Sequence, residues 1–125
     1  MTEYIVAPLE EPEWVVDTGR FAEALAERWP AARVETGAVP GSTMALEALI
    51  PLEPAPRELG VALSGSGQAV SLEPADAEAA ADFAEWFVRV VLPGQSGVHL
   101  IEPASMRTVE LTGDLTAAEI RQRIG

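Results

Sequence analysis

The stretch LGVALSGSGQAVSL, residues 59–72, indicates how this chain folds. Apolar residues alternate with small or polar ones on both sides of a short Ser/Gly segment. The alternating residues are Leu59, Val61, Leu63, Val70 and Leu72. Two runs of period two joined by such a segment predict a β-hairpin. A phosphate-binding loop is disfavoured, because a dinucleotide loop would open a helix and a P-loop needs a lysine, which this chain lacks.

A second hairpin is predicted in GVHLIEPASMRTVELTG, residues 97–113. If its turn spans 103–106, Glu102 faces Arg107 and Leu100 faces Val109. On the other face, the same register places His99 opposite Glu110, and Ile101 opposite Thr108. A slip by one residue would exchange the two faces, so the hydrophobic pattern fixes this register.

Three segments have helical periodicity. Asp17 is a predicted N-cap for a helix with an apolar stripe at Phe21, Leu25 and Trp29. A longer helix is predicted over 75–92, where Asp76 starts it and Pro93 stops it. A last helix follows a capping box made of Thr116 and Glu119.

The remaining segments read as strands: 2–9, a short one in ARVET (32–36), and TMALEALIPLE (43–53). The last of these is predicted to be either central or an edge strand that meets a partner. Consecutive strands with short turns predict an α+β fold in two layers: a mostly antiparallel sheet with two or three helices packed on one face. The length of 125 residues predicts one domain, residues 1–125.

Charge limits the classes of partner. Twenty acidic residues oppose eight basic ones, for a formal net charge of -12. Nucleic acid and anionic membrane surfaces repel such a chain, so we expect neither as a partner. A basic protein partner fits the charge, since opposite charge speeds encounter.

Location is predicted to be cytoplasmic. Cysteine is absent, which excludes disulfides and zinc–thiolate sites. No apolar run reaches the roughly 18–20 residues of a membrane span, and the N-terminus lacks the pattern of a signal peptide.

Candidate chemistry is sparse. His99 is the single histidine, so a multi-histidine metal site is excluded and no metal is predicted. His99 with Glu110 could form a general base in a pocket, or simply a cross-strand pair on a solvated face. No nucleophile elbow or cofactor motif is found, so we expect no cofactor and no catalytic residue.

Two acidic segments are candidate surfaces for binding a partner. Glu78, Asp82 and Glu85 form a stripe along the long helix, here called the acidic stripe. It reads as a solvated helix face, a docking face for a basic partner or a cation site. Near the N-terminus, Glu11 and Glu13 accompany Trp14, which is either part of the core or an exposed interface anchor.

The segments TEYIVAPL, DTGRFAEALAERWPAARVE and VELTGDLTAAEI resemble a family of small, acidic, uncharacterised bacterial proteins. That resemblance implies no particular site. The closing order of helix, two strands and helix is also similar to type III secretion chaperones, which are small acidic dimers that bind other proteins. Immunity proteins that neutralise nuclease toxins share the size and the acidity.

These observations favour a non-enzymatic acidic protein that binds another, basic protein, in a chaperone-like or immunity-like way. The alternative is a small-molecule-binding or enzymatic domain with a pocket near His99 and Glu110. A third hypothesis is a homodimer through the strand ALEALIPL, residues 45–52.

Overall fold

The computed structural model describes residues 2–7, 14–36, 44–53, 57–65, 67–94 and 97–124. The strands are β1 (Thr2–Ala7), β2 (Arg33–Thr36), β3 (Met44–Pro51), β4 (Glu58–Ser64), β5 (Val70–Ala75), β6 (His99–Glu102) and β7 (Arg107–Glu110). The helices are α1 (Thr18–Arg28), α2 (Ala77–Trp86) and α3 (Ala117–Ile124).

Within the described residues, the strands form one sheet in the order β2-β3-β4-β5-β1-β6-β7, and every neighbouring pair is antiparallel. The α+β class with an antiparallel sheet is therefore confirmed. Strands β2 to β5 follow one another as hairpins. The first strand, β1, lies between β5 and β6 and joins the two hairpin units into one sheet.

One face of the sheet carries the core. Alternate strand residues such as Leu46, Leu63 and Leu72 are at most 1% exposed and belong to the same buried cluster as the apolar sides of the helices. Burial of this apolar surface is the main force that holds the two layers together.

The Ser/Gly segment forms a turn, as predicted, with Val61 opposite Leu72 and Leu63 opposite Val70. The Ser64 hydroxyl accepts hydrogen bonds from the backbone N–H groups of Gln68 and Ala69. Gly67 has φ +74°, a conformation that favours glycine. The N–H groups of Gln68 and Ala69 are thus engaged within the chain.

The second hairpin has the predicted register, with His99 opposite Glu110 and Glu102 opposite Arg107. For β3, the edge-strand alternative is wrong: β3 pairs with β2 on one side and β4 on the other. Its hydrogen-bonding groups are therefore used inside the sheet, and a homodimer formed by strand pairing along β3 is not available.

The predicted helix caps are confirmed. The Asp17 and Asp76 carboxylates each accept a hydrogen bond from a backbone N–H in the first turn of their helices, at 2.9 and 2.8 Å. Thr116 and Glu119 bond each other's backbone N–H groups at 3.2 Å, which is the predicted capping box.

The long helix predicted over 75–92 is α-helical only to Trp86. Residues Phe87–Val91 form a π-helical turn, closed by a hydrogen bond of 3.0 Å from the Leu92 N–H to the Phe87 carbonyl. In this turn Phe87 is fully buried and Val90 is 55% exposed. In the described part of the chain, no helix is both long and apolar enough to cross a membrane.

Candidate functional site

The face of the sheet that lies away from the core carries no helix among the described residues. We call it the open face. One row of side chains crosses it from β2 to β7: Glu35, Glu47, Ala62, Ser71, Ile5, Ile101 and Thr108. The middle of the row is small or apolar, and its β2–β3 end is acidic.

An open depression of about 450 Å³ lies on this face over β2 to β5. Its lining includes Arg33, Glu35, Glu47, Leu49, Gly60, Ala62 and Glu73. Gly60 is required here, because a Cβ at this position would lie 2.0 Å from the Glu73 carbonyl oxygen. The floor is therefore backbone and small side chains, and a partner can approach the sheet closely.

Carboxylates dominate the electrostatics of the depression. Glu35 on β2 lies directly opposite Glu47 on β3, a cross-strand like-charge pair that destabilises a sheet. Glu73 adds a third carboxylate, and Arg33 is the basic residue among the described lining. A positively charged group bound here would relieve this repulsion.

Within the described residues, no group of three or more acidic or histidine side chains is arranged to hold a metal ion. The acidic stripe and the depression are both covered by this result. The carboxylates of the depression come from three strands: Glu35 from β2, Glu47 from β3 and Glu73 from β5.

The acidic stripe is more engaged than its helical spacing suggests. The Glu85 carboxylate accepts a hydrogen bond of 2.6 Å from the backbone N–H of Ala117, at the start of α3. It also lies 3.8 Å from the Arg89 guanidinium, which donates to the carbonyls of Gly113 and Leu115. Glu85 and Arg89 thus fasten α3 and its preceding loop to the α2 side of the molecule.

Asp82 and Glu78 are exposed, but they border a depression that also contains Arg28 and Arg57. Partial burial, and then the charges of Glu78 and Glu85, raise the pKa of the Asp82 carboxyl above its ordinary value. Arg57 in turn pairs with Asp76 at 2.9 Å. Arginines therefore border the stripe and offset part of its charge.

The N-terminal acidic cluster cannot be placed, since Glu11 and Glu13 lie outside the described residues. Trp14 is only 4% exposed, and its indole N–H donates to the Gly97 carbonyl at 3.3 Å. It contacts Phe87 edge to face. Trp14 is therefore part of the core, and its alternative role as an exposed anchor does not fit its burial.

His99 and Glu110 lie across the β6–β7 pair, with 3.9 Å between Nε2 and the carboxylate. The Glu110 side chain is 67% exposed. The Nδ1 of His99 is buried and has no hydrogen-bond partner among the described residues. The two residues lie opposite each other, as predicted. They lie on a face of the sheet, and the Glu110 carboxylate is open to solvent.

Sequence reasoning did not single out Glu35, Glu47 and Glu73. Each stands alone at a polar position of a different strand, so no local spacing connects them. Glu47 is the one charged residue in the apolar run of β3, and that interruption was the available signal. Comparisons of the chain with models of protein families, with curated proteins and with solved structures found no match. The family resemblance drawn from the sequence therefore stays a prediction.

Proposed function

We propose that this chain is a non-enzymatic acidic protein that binds a basic protein partner on the open face of its sheet. The observation that supports this proposal is the collection of Glu35, Glu47 and Glu73 from three strands around a floor of small residues. The net charge of -12 supports it as well, because it draws a basic partner toward the molecule.

The floor matters as much as the charge. Gly60 and Ala62 leave the sheet backbone close to the surface, so arginine or lysine side chains of a partner can reach Glu47 and Glu73 while the partner's own apolar surface covers the floor. Hydrogen bonds between ionised groups are roughly twice as strong as neutral ones. A partner that presents basic residues on a compact element would gain both kinds of contact.

The α2 side is a weaker candidate for the same function. The Glu85 carboxylate already accepts a hydrogen bond from the start of α3, and Asp82 lies beside Arg28 and Arg57. The charge available to a partner is therefore lower there than the spacing in the sequence suggests.

The test compares three immobilised proteins in a lysate of the cells that make the chain. They are the wild type, the variant Glu47→Gln/Glu73→Gln, and a control with the same change in net charge, Glu23→Gln/Glu27→Gln, on exposed positions of α1. We expect one stoichiometric protein to be retained by the wild type and by the control, to be released as the salt concentration rises, and to be lost by the open-face variant.

Three results would count against the proposal. The wild type could retain no stoichiometric protein, or retain one whose binding is indifferent to salt. Equal loss in both double variants would mean that overall charge, and not the open face, holds the partner.

A further inference from the structure

Strand β2 forms one edge of the sheet: within the described residues it pairs with β3 only. It is short, with Arg33, Glu35 and Thr36 exposed and Val34 half-buried against the core cluster. Such an edge presents unpaired backbone N–H and C=O groups and is a template for pairing with another strand. Which strand can pair with this edge depends on whether its side chains complement those of β2.

We propose that β2 pairs antiparallel with β2 of a second copy of this chain, about a two-fold axis through Val34. In that arrangement Arg33 of each copy lies opposite Glu35 of the other, and the two Val34 side chains meet on the core face. A two-fold interface repeats each contact, so the register gives two opposite-charge pairs.

The alternatives nearby do not fit. If both copies keep their helices on the same side of a continuous sheet, the axis must pass through a residue, because opposite residues then share a face. An axis through Arg33 places two guanidinium groups opposite each other, and an axis through Glu35 places two carboxylates opposite each other. Only the axis at Val34 pairs opposite charges.

The same register relieves a repulsion inside each copy. Glu35 lies opposite Glu47 on β3, and neither Arg33 nor Glu35 has an ion-pair partner within the described residues. Arg33 of the second copy would lie on the other side of Glu35 and complete a row of Glu47, Glu35 and arginine. The half-buried Val34 would gain an apolar neighbour and extend the core across the interface.

The dimer does not depend on the basic partner proposed above. It uses Arg33 and Glu35 at the edge, whereas Glu47 and Glu73 of both copies stay on the open face. The sequence predicted a homodimer through β3, but β3 is paired on both sides. The dimer proposed here is formed by β2 instead.

The test is sedimentation equilibrium of the purified protein over a concentration series that reaches the millimolar range. We expect the wild type to dimerise. The variants Glu35→Arg and Arg33→Glu each place like charges opposite each other twice, and we expect each to raise the dissociation constant at least about a hundredfold.

Charge exchange is the matched control. The double variant Arg33→Glu/Glu35→Arg restores both pairs and should dimerise again. A mixture of the two single variants should form a heterodimer, since each supplies the charges that the other lacks. Circular dichroism checks that every variant is folded, and Glu35→Arg faces Glu47 favourably in its own chain.

A wild type that stays monomeric at every concentration overturns the proposal. So do single variants that still dimerise, or folded single variants that fail to associate when mixed. Because the protein is measured alone, these outcomes leave the result with the basic partner unaffected.

Discussion

The acidic stripe on α2 and the carboxylates of the open face carry the same kind of charge but are used differently. In the stripe, Glu85 bonds the start of α3 and Asp82 has arginines nearby. On the open face, Glu35 and Glu47 face each other across two strands. In the stripe, the contacts of Glu85 with Ala117 and Arg89 stabilise the monomer, whereas Glu35 and Glu47 keep a repulsion that an added positive charge would relieve.

Spacing along a helix therefore does not show whether a charged side chain is bonded within the molecule or is available to a partner. Residues at helical spacing share a face by local geometry alone, and tertiary packing can then use one of them as a helix cap. Carboxylates collected from separate strands need the whole sheet to meet. The repulsion between Glu35 and Glu47 is therefore a better indication of a binding surface than the helical spacing of the acidic stripe.

The largest expected effect is at the floor of the open face. Gly60→Ala places a Cβ 2.0 Å from the Glu73 carbonyl oxygen and 2.9 Å from Pro74, so β4 and β5 must separate. Because the clash is with backbone atoms, we expect the free energy of unfolding to fall by about 3 kcal/mol or more in urea denaturation.

Gly113→Ala is the control for that substitution, because nothing lies within 4 Å of the added Cβ. Equal stability losses at the two glycines would mean that the β4–β5 approach does not require glycine.

An intermediate effect is expected within the stripe. Glu85→Ala leaves the N–H of Ala117 without its carboxylate and Arg89 without its neighbour. Loss of a hydrogen bond to a charged group should lower the free energy of unfolding by about 1–3 kcal/mol, measured by thermal and urea unfolding.

The matched variant is Glu23→Ala on α1, which is exposed and should change stability by less than about 0.5 kcal/mol. If Glu85→Ala were equally silent, the stripe would be a free surface and its contrast with the open face would disappear.

The smallest effect concerns Asp82. Its pKa is raised by partial burial and by the charges of Glu78 and Glu85, so the ionised carboxylate is less favourable in the folded protein than in the unfolded chain. Asp82→Asn should therefore stabilise the protein near neutral pH by about 0.2–0.5 kcal/mol, the size of a like-charge repulsion between helix neighbours.

The gain should shrink as the pH falls through the folded-state pKa of Asp82, and vanish once Asp82 is protonated in both states. Urea unfolding of both proteins at neutral and at acidic pH measures this difference. A gain that is the same at both values would assign it to helix propensity instead of charge.

Local features were readable in advance where short-range geometry decides them. The register of the β6–β7 hairpin followed from alternation on both faces and a short turn, and the caps at Asp17, Asp76 and Thr116 followed from residue type and position. The π-helical turn at Phe87–Val91 was not readable. It adjusts the end of a helix to its packing, and the sequence there is periodic enough for an ordinary helix.

The candidate site was predictable only in its general character. An excess of acid pointed to a basic partner, but the residues named for it were those with visible spacing. Glu35 and Glu47 become neighbours through the β2–β3 register, and Glu73 joins them through β4. The burial of Trp14 likewise required its contacts with Phe87 and Gly97, about 70 to 80 positions away in the chain.

By itself the sequence determined the strands, the helices, their caps and the two hairpins, because each depends on side-chain period and capping groups within a few residues. The tertiary structure alone decided that β1 lies inside the sheet, that β2 is left at its edge, and which carboxylates share the open face. Those outcomes depend on contacts between distant segments, whose free energy comes from burying a common core and leaves no periodic trace in the chain.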